Sequence, residues 1–263
     1  MLSAGHSGST LLSLLLNAHS RIHALSEIDK LGAIVRDPER AARRLASPFW
    51  QAVRADYERS TGASFDEIEL RVARDASDRA SEAALAAWSE QYTALAACVA
   101  RASGKRVLID ASKDAAQLDA LLRAAPLDVR VIELARDGRG VAHSYKRKTG
   151  SFAHGLRHWL QSARDADRMR ARVPAARWLC IRYEDLARSP ERELARACEH
   201  LGEPYEPEML AFRRAAWEGV SGNRIARADG ERIELDERWR GEMTWWERGM
   251  WGVVVAARPW RAR

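Results

Sequence analysis

Apolar residues in this chain fall into short compact runs, separated by longer stretches in which they recur at helical spacing. The compact runs, typical of buried strands, are 21–26, 106–110, 129–135 and 178–183. The longer stretches that predict helices include 8–18, 153–172, 190–202 and 206–217. Strands that alternate with helices indicate an α/β protein with a largely parallel sheet covered on both faces.

One long block, residues 36–103, differs from the rest of the chain. It is rich in Ala, Arg and Glu, and its two parts, 39–60 and 66–102, predict two or more helices without any motif of evident chemistry. We interpret the block as a helical insertion that covers the sheet or shapes an acceptor cleft. Since no linker, repeat or low-complexity tract divides the chain, residues 1–263 are expected to form a single domain.

The composition adds a strong bias toward arginine. The chain has 263 residues, of which 46% are hydrophobic, and a formal net charge of +6, with five lysines among its 43 basic residues. Such a bias fits either genomic base composition or a protein that handles anions. The basic residues are dispersed and form no known nucleic-acid-binding module, which argues against a nucleic-acid partner.

Cysteines and the chain start bear on cellular location. The three cysteines (Cys98, Cys180 and Cys198) have no metal-like spacing and are expected to be reduced. No apolar run approaches the roughly 20 residues that span a bilayer, so we expect a cytoplasmic protein without a transmembrane segment. Only Met1 to Ala4 precede the first glycine turn, which suggests either a very short first strand or a true start codon further upstream.

That first turn is the most suggestive local feature. Residues 5–10 read GHSGST and lead directly into the apolar helix of residues 11–16. A glycine turn that opens a helix presents free backbone N–H groups and the positive end of the helix dipole, which suits a phosphate. Ser or Thr at such a position can also act as an ordinary helix cap.

Three further turns with polar residues follow predicted strands. They read SKD at 112–114, RDGRG at 136–140 and RYED at 182–185. Ligands of parallel sheets bind at the carboxyl ends of the strands. Arg136 ends a strand and Ser144 lies eight residues later on the next helix, so both could contact one phosphate. Alternatively, Arg136 pairs with Asp137 or Glu184 while Ser144 faces solvent.

Taken together, these segments resemble the sulfotransferases that use 3′-phosphoadenylyl sulfate (PAPS), in their bacterial and Golgi-type branch. The resemblance lies in SGSTLL at 7–12, VIELARDGRGVAHS at 131–144, RYEDL with the Ser-Pro at 189–190, and SGNR at 221–224 followed by Arg227 and DERWR at 236–240. It covers most of the chain outside 36–103. It implies a P-loop-NTPase-like, three-layer α/β/α fold with a central parallel sheet and a helical insertion.

The resemblance also implies transfer of a sulfuryl group from PAPS to an acceptor hydroxyl or amine, with release of adenosine 3′,5′-bisphosphate (PAP) and without a metal. The residues it assigns to the 5′-phosphosulfate are Ser7, Gly8, Ser9 and Thr10. Those it assigns to the 3′-phosphate are Arg136 and Ser144, while Asn223 and Arg227 contact the nucleotide from a covering segment at about 219–263.

For catalysis the resemblance points to Glu27 as the general base and to Lys113 as the cation on the transferred group. Asp29 is the alternate base, and helix capping with Ser26 is the structural alternative for Glu27. Lys113 could instead form a surface ion pair with Asp110 or Asp114. His6 joins the catalytic set at a position where the family usually carries Arg or Lys, and a nearby phosphosulfate would favour its protonated form.

Two other classes of function remain open from the sequence. A P-loop-type nucleotide kinase or phosphotransferase shares the strand, glycine turn and helix, but it would carry Lys after Gly8, where this chain has Ser9. A non-catalytic nucleotide-binding protein is the other alternative. The sequence does not identify the acceptor, which can be a small molecule, a carbohydrate or a lipid, and it leaves the oligomeric state open.

Overall fold

The computed structural model describes residues 1–72, 82–221 and 233–257. Its strands are β1 Leu2–Ser3, β2 Ile22–Ser26, β3 Val107–Asp110, β4 Val131–Ala135 and β5 Trp178–Arg182. Of the described residues up to 124, the α-helices are α1 Ser9–Asn17, α2 Leu31–Val35, α3 Pro38–Arg44, α4 Pro48–Thr61, α5 Glu82–Ser103 and α6 Ala115–Ala124. The later ones are α7 Gly138–Thr149, α8 Phe152–Arg170, α9 Tyr183–Arg188, α10 Pro190–Leu201, α11 Trp239–Glu242 and α12 Trp245–Ala257.

All strand pairs are parallel, which confirms the predicted α/β class. The strands β1, β4 and β5 form one sheet in that order, and β2 pairs with β3 in another. The backbone nitrogen of Met1 lies 2.5 Å from the carbonyl oxygen of Asp110, so β1 meets the end of β3. The carboxyl ends of β1, β2 and β3, and the turns that follow them, are thereby brought together.

Helix α1 lies at the centre of the apolar core. Its nine residues are all buried, and Leu12, Leu15 and Leu16 are fully inaccessible. They pack with residues of β2, β4 and β5 in one hydrophobic cluster. Because each buried leucine side chain contributes roughly 1.5–3 kcal/mol, this packing holds the amino end of α1 at a fixed position.

The block 36–103 is largely helical where the structure describes it. Its helices α4 and α5 pack through Trp50, Tyr57 and Trp88 into a cluster that also contains Leu25 of β2 and Ile28, two residues after the strand. The insertion therefore packs directly against the strand end that carries Glu27. The division of the chain into domains remains a prediction.

The stretch 206–217 differs from the expected helix. It forms a 3₁₀ helix, Pro207–Arg214, with a break at Ala211, whose ψ of 39° is not helical. Met209 and Phe212 on this segment are buried and belong to the cluster around α1, so tertiary packing rather than regular helix geometry fixes this segment. None of the helices in the described ranges is both long and apolar enough to cross a bilayer.

Candidate active site

The turn between β1 and α1 is shaped by two glycines that lie close against tyrosine side chains. Gly8 has a φ of 92°, and a Cβ there would lie 2.6 Å from Cδ2 of Tyr183. A Cβ on Gly5 would lie 2.5 Å from the hydroxyl oxygen of Tyr145. The loop therefore passes closely between two tyrosine rings, which explains why glycine stands at both positions.

The amino end of α1 is suited to an anion. Its N-cap residue is Gly8, which has no side chain to cap it, and its first turn contains no acidic residue. The hydroxyl oxygen of Ser7 is buried and has no hydrogen-bond partner among the described residues. A buried hydroxyl without a partner costs about 1–3 kcal/mol, and a bound anion with its shell of oxygens would satisfy it together with the helix N–H groups.

Three residues at the ends of neighbouring strands adopt a left-handed backbone conformation although none is glycine. They are His6, Ser26 and Lys113, with φ values of 63°, 64° and 64°. This conformation costs about 1–3 kcal/mol for a residue with a side chain, and it is found most often at functional sites. The three residues follow or end β1, β2 and β3, so the strained positions lie at the same edge of the sheets.

Glu27 and Lys113 are in direct contact. The Nζ atom of Lys113 donates to Oε1 of Glu27 at 2.5 Å, and both side chains are 18% exposed. The Oε2 atom of Glu27 accepts from Lys30 at 2.6 Å and from the hydroxyl of Ser221 at 2.5 Å. Neither alternative from the sequence is seen here, because Glu27 makes no helix-capping hydrogen bond and Lys113 contacts Glu27 rather than a neighbouring aspartate.

The electrostatic environment of Glu27 follows from these contacts. Burial alone would raise the pKa of its carboxyl. The charge of Lys113 and the hydrogen bonds from Lys113, Lys30 and Ser221 outweigh burial and lower the pKa to about 2. In contrast, burial raises the pKa of Asp29, the alternate base. The backbone N–H of Asp29 donates to Ser112, whose hydroxyl in turn donates to Asp110.

His6 is surrounded by cations and aromatic rings. Burial, followed by the charges of Lys148, Arg136 and Lys113, lowers the pKa of His6 to about 4. Its ring meets the ring of Tyr145 edge-on, with 4.7 Å between the centroids. In this structure His6 is therefore neutral at pH 7, and the positive field around the loop comes from the lysine and arginine side chains.

Arg136 is buried beside the loop, with 6% of its side chain exposed. Its Nη1 atom donates to the carbonyl oxygen of His6 at 2.7 Å, and its Nη2 atom lies 3.3 Å from a carboxylate oxygen of Asp236. Its guanidinium also stacks over the ring of Tyr183 at 4.3 Å. The pairing with Asp137 or Glu184 that the sequence left open is not the one observed, since Arg136 pairs with Asp236.

Ser144 and the loop hydroxyls complete the predicted set. Ser144 donates to the carbonyl oxygen of Gly140 at 2.8 Å, and a Cβ on Gly140 would lie 3.0 Å from Nε of Arg136. Arg136 and Ser144 therefore flank the same glycine. Ser9 and Thr10 lie in the first turn of α1, within the helix predicted over 8–18, and both are buried. Asn223 and Arg227 lie outside the described residues.

Several site residues were missed by the sequence analysis. Tyr145, Lys30 and Ser221 contact predicted site residues, and Tyr183 of the RYED turn covers both Gly8 and Arg136. Of these residues, Lys30 was the easiest to predict from the sequence, because it is one of only five lysines and lies three residues after Glu27. Ser221 is 194 residues away from Glu27, and no local pattern could have linked the two.

Comparison with known proteins identifies one family and one fold. The model of the sulfotransferase family matches residues 1–207. Similar solved structures include the sulfotransferase domain from the Synechococcus PCC 7002 olefin synthase, with 22% identity, 97% coverage of this chain, 92% of that chain and a TM-score of 0.59. The sulfotransferase domain from the curacin biosynthetic pathway has 16% identity, coverages of 97% and 95%, and a TM-score of 0.60.

Sulfotransferase STF9 from Mycobacterium avium is similar over 97% of this chain and 75% of its own length, at 16% identity and a TM-score of 0.54. At such identities the solved structures establish likeness of fold alone. No curated protein gives a significant match.

The contact between Glu27 and Lys113 can be tested without any ligand. In a Lys113→Met variant, Glu27 loses its strongest opposing charge, so we expect its pKa to rise by about one to three pH units. Carbon-13 NMR titration of the glutamate side-chain carboxyls measures this rise. A Lys146→Met variant, which removes a lysine paired with Glu247 instead, is the control. An unchanged Glu27 titration in Lys113→Met would contradict the contact.

Proposed function

The chain belongs to the sulfotransferase family, and we propose that it transfers a sulfuryl group from PAPS to a hydroxyl or amine of its acceptor. One observation carries the proposal: a half-buried carboxylate and a lysine, Glu27 and Lys113, meet at the strand ends that also hold the glycine turn before α1 and a buried arginine. A base, a cation for the transferred group and sites for two phosphates are the parts that this reaction needs.

The 5′ end of the donor is assigned to the loop before α1. Backbone N–H groups of the first turn and the hydroxyls of the loop would hold the phosphosulfate, and the dipole of α1 would favour its negative charge. The proposed residues are Ser7, Gly8, Ser9 and Thr10. Two observations support this assignment: the Ser7 hydroxyl has no hydrogen-bond partner among the described residues, and the N-cap of α1 is Gly8, which has no side chain.

The 3′-phosphate is assigned to Arg136 and Ser144. The guanidinium of Arg136 is held in place by Tyr183 and by the carbonyl oxygen of His6, and Ser144 can turn its hydroxyl away from Gly140. Asp236 now occupies one side of Arg136, so the phosphate would replace this carboxylate. Asn223 and Arg227 remain nucleotide contacts on the basis of resemblance.

Two protein side chains are assigned a direct part in the reaction. The acceptor oxygen or nitrogen forms a bond to sulfur as the bond between sulfur and the bridging phosphate oxygen breaks, and PAP departs with that oxygen. Glu27 takes the acceptor proton. Lys113 stabilises the charge that develops on the bridging oxygen, and no metal takes part. The sulfuryl group passes in line from the bridging oxygen to the acceptor atom, so alignment supplies much of the rate.

Because Lys113 is bound to Glu27 in this structure, one lysine serves both groups. When PAPS draws Lys113 toward the sulfuryl oxygens, Glu27 loses a charge that holds its pKa low and becomes a stronger base.

The acceptor is proposed to be a small molecule, a carbohydrate or a lipid.

The general test is acceptor-dependent release of PAP from labelled PAPS across a broad panel of acceptors, with ATP as the competing donor. Transfer from PAPS supports the proposal. Tight binding of PAP without transfer to any acceptor would indicate a non-catalytic nucleotide-binding protein, and Mg²⁺-dependent use of ATP would indicate a kinase.

Replacing Arg136 by Ala should weaken PAP binding at least tenfold, because a charge-assisted hydrogen bond contributes about 1.5–3 kcal/mol. Isothermal titration calorimetry measures the affinity. The control is Arg182→Ala, which removes another arginine at a strand end whose side chain is 49% exposed. Equal affinity of Arg136→Ala and wild type would remove the 3′-phosphate assignment.

Replacing Glu27 by Gln should lower kcat by about 10²–10⁴, the contribution of a positioned base, while PAP affinity changes less than threefold. Steady-state transfer assays at saturating PAPS give kcat. Asp29→Asn is the matched comparison. If Asp29→Asn loses the activity and Glu27→Gln keeps it, the base is Asp29.

His6 should make PAP binding depend on pH. Its pKa is about 4 in the free protein, and a bound phosphate raises it, so binding takes up a proton and strengthens as the pH falls toward the raised pKa. We expect the ratio of PAP Kd values, His6→Gln over wild type, to grow about tenfold from pH 8 to pH 5.5. Taking the ratio cancels the titration of PAP itself. A constant ratio would show that His6 stays neutral in the complex.

A further inference from the structure

The two oxygens of the Glu27 carboxylate have unequal partners. Oε1 accepts from Lys113 at 2.5 Å, and no second donor to it is found in the described part of the chain. Oε2 accepts from two donors, Lys30 at 2.6 Å and Ser221 at 2.5 Å. The carboxylate is therefore held in place at Oε2, whereas Oε1 becomes free when Lys113 moves away.

Of the two donors to Oε2, Ser221 has the more fixed position. The Lys30 side chain is 50% exposed, so water competes for its ammonium group. Ser221 follows Val220, a residue with 1% exposure whose backbone N–H donates to the carbonyl oxygen of Leu25 at 3.1 Å. The hydroxyl of Ser221 also lies 3.3 Å from that of Ser26.

Residues 216–221, which end at Ser221, form several hydrogen bonds with the rest of the protein. We call them the anchor segment. The side chain of Asn17 donates to the carbonyl oxygen of Ala216 at 2.8 Å. The indole of Trp50 donates to the carbonyl oxygen of Glu218 at 2.9 Å, and Ser47 donates to its carboxylate at 2.7 Å. A hydroxyl at the end of such a segment has little freedom to move.

We propose that Ser221 is a positioning residue for the general base, and that Oε1 of Glu27 is the atom that takes the acceptor proton. The inference rests on the proposed function and assigns a role within the same site. Since Lys113 is the cation expected to turn toward the donor, Oε1 is the oxygen that becomes available. Ser221 keeps Oε2 in place, so that a lone pair of Oε1 stays directed at the acceptor.

A positioning role predicts two linked effects of Ser221→Ala. The carboxylate gains freedom, so kcat should fall about tenfold or more while PAP affinity stays within threefold of wild type. The variant also loses a hydrogen bond that lowers the pKa of Glu27. The acidic limb of the pH profile of kcat should therefore move to higher pH. The other titratable groups near Glu27 (Lys30, Lys113, Asp29 and Tyr145) are unchanged in this variant.

Two further variants separate positioning from a general loosening of the chain. Ser221→Thr keeps the hydroxyl and should retain more of the activity than Ser221→Ala. Glu218→Ala removes the hydrogen bond from Ser47 to the Glu218 carboxylate. The hydrogen bonds to the backbone of the anchor segment and the contacts of Glu27 remain, so this variant should keep kcat within about threefold of wild type. Thermal unfolding of each variant checks that it is folded.

The proposal is overturned if Ser221→Ala keeps the kcat and the acidic limb of wild type, or if Glu218→Ala loses as much activity as Ser221→Ala. Carbon-13 titration of Glu27 in the ligand-free protein adds a readout that needs no turnover, and a higher pKa in Ser221→Ala supports the hydrogen bond. If the wild type transfers nothing from PAPS, the proposed function fails and this role fails with it. Active wild type with an unaffected Ser221→Ala overturns the positioning role alone.

Discussion

The site depends on one backbone constraint. At the ends of β1, β2 and β3 the chain turns through His6, Ser26 and Lys113, each in the left-handed region. Each of these residues also supplies one contact of the site. The carbonyl of His6 accepts from Arg136, the hydroxyl of Ser26 meets Ser221, and the ammonium of Lys113 binds Glu27. The conformational cost is borne by the packed core around α1, which fixes the strand ends.

Lysine and arginine side chains take different positions around the site. A chain that uses arginine for most of its basic residues places lysines beside Glu27 and near His6. A lysine ammonium is a compact charge on a flexible stem that can change partners, whereas the planar guanidinium of an arginine is suited to fixed, stacked positions. Lys113 and Arg136 follow this division, since Arg136 is stacked on Tyr183 while Lys113 forms an ion pair with the carboxylate of Glu27.

The sequence could predict what the local pattern encodes. The strands, the glycine turn and the helix α1 follow from hydrophobic spacing, and Glu27 and Lys113 were identified by resemblance as residues at strand ends. Their mutual contact was not predicted, because it joins positions 86 residues apart and depends on β2 pairing with β3. The contact between Arg136 and Asp236 was not predicted for the same reason, since the two residues lie 100 positions apart.

The pairing of Arg136 with Asp236 has a consequence for the end of a reaction cycle. If the 3′-phosphate occupies Arg136, the protein keeps its own carboxylate beside the site, ready to take the place of the departing phosphate. The arginine then passes from one anion to another without being left unpaired in a buried position, which would cost several kcal/mol. In that case the contribution of Arg136 to nucleotide binding is the free energy of its contact with the phosphate minus that of its contact with Asp236. The bound product can therefore leave more quickly than its direct contacts alone would allow.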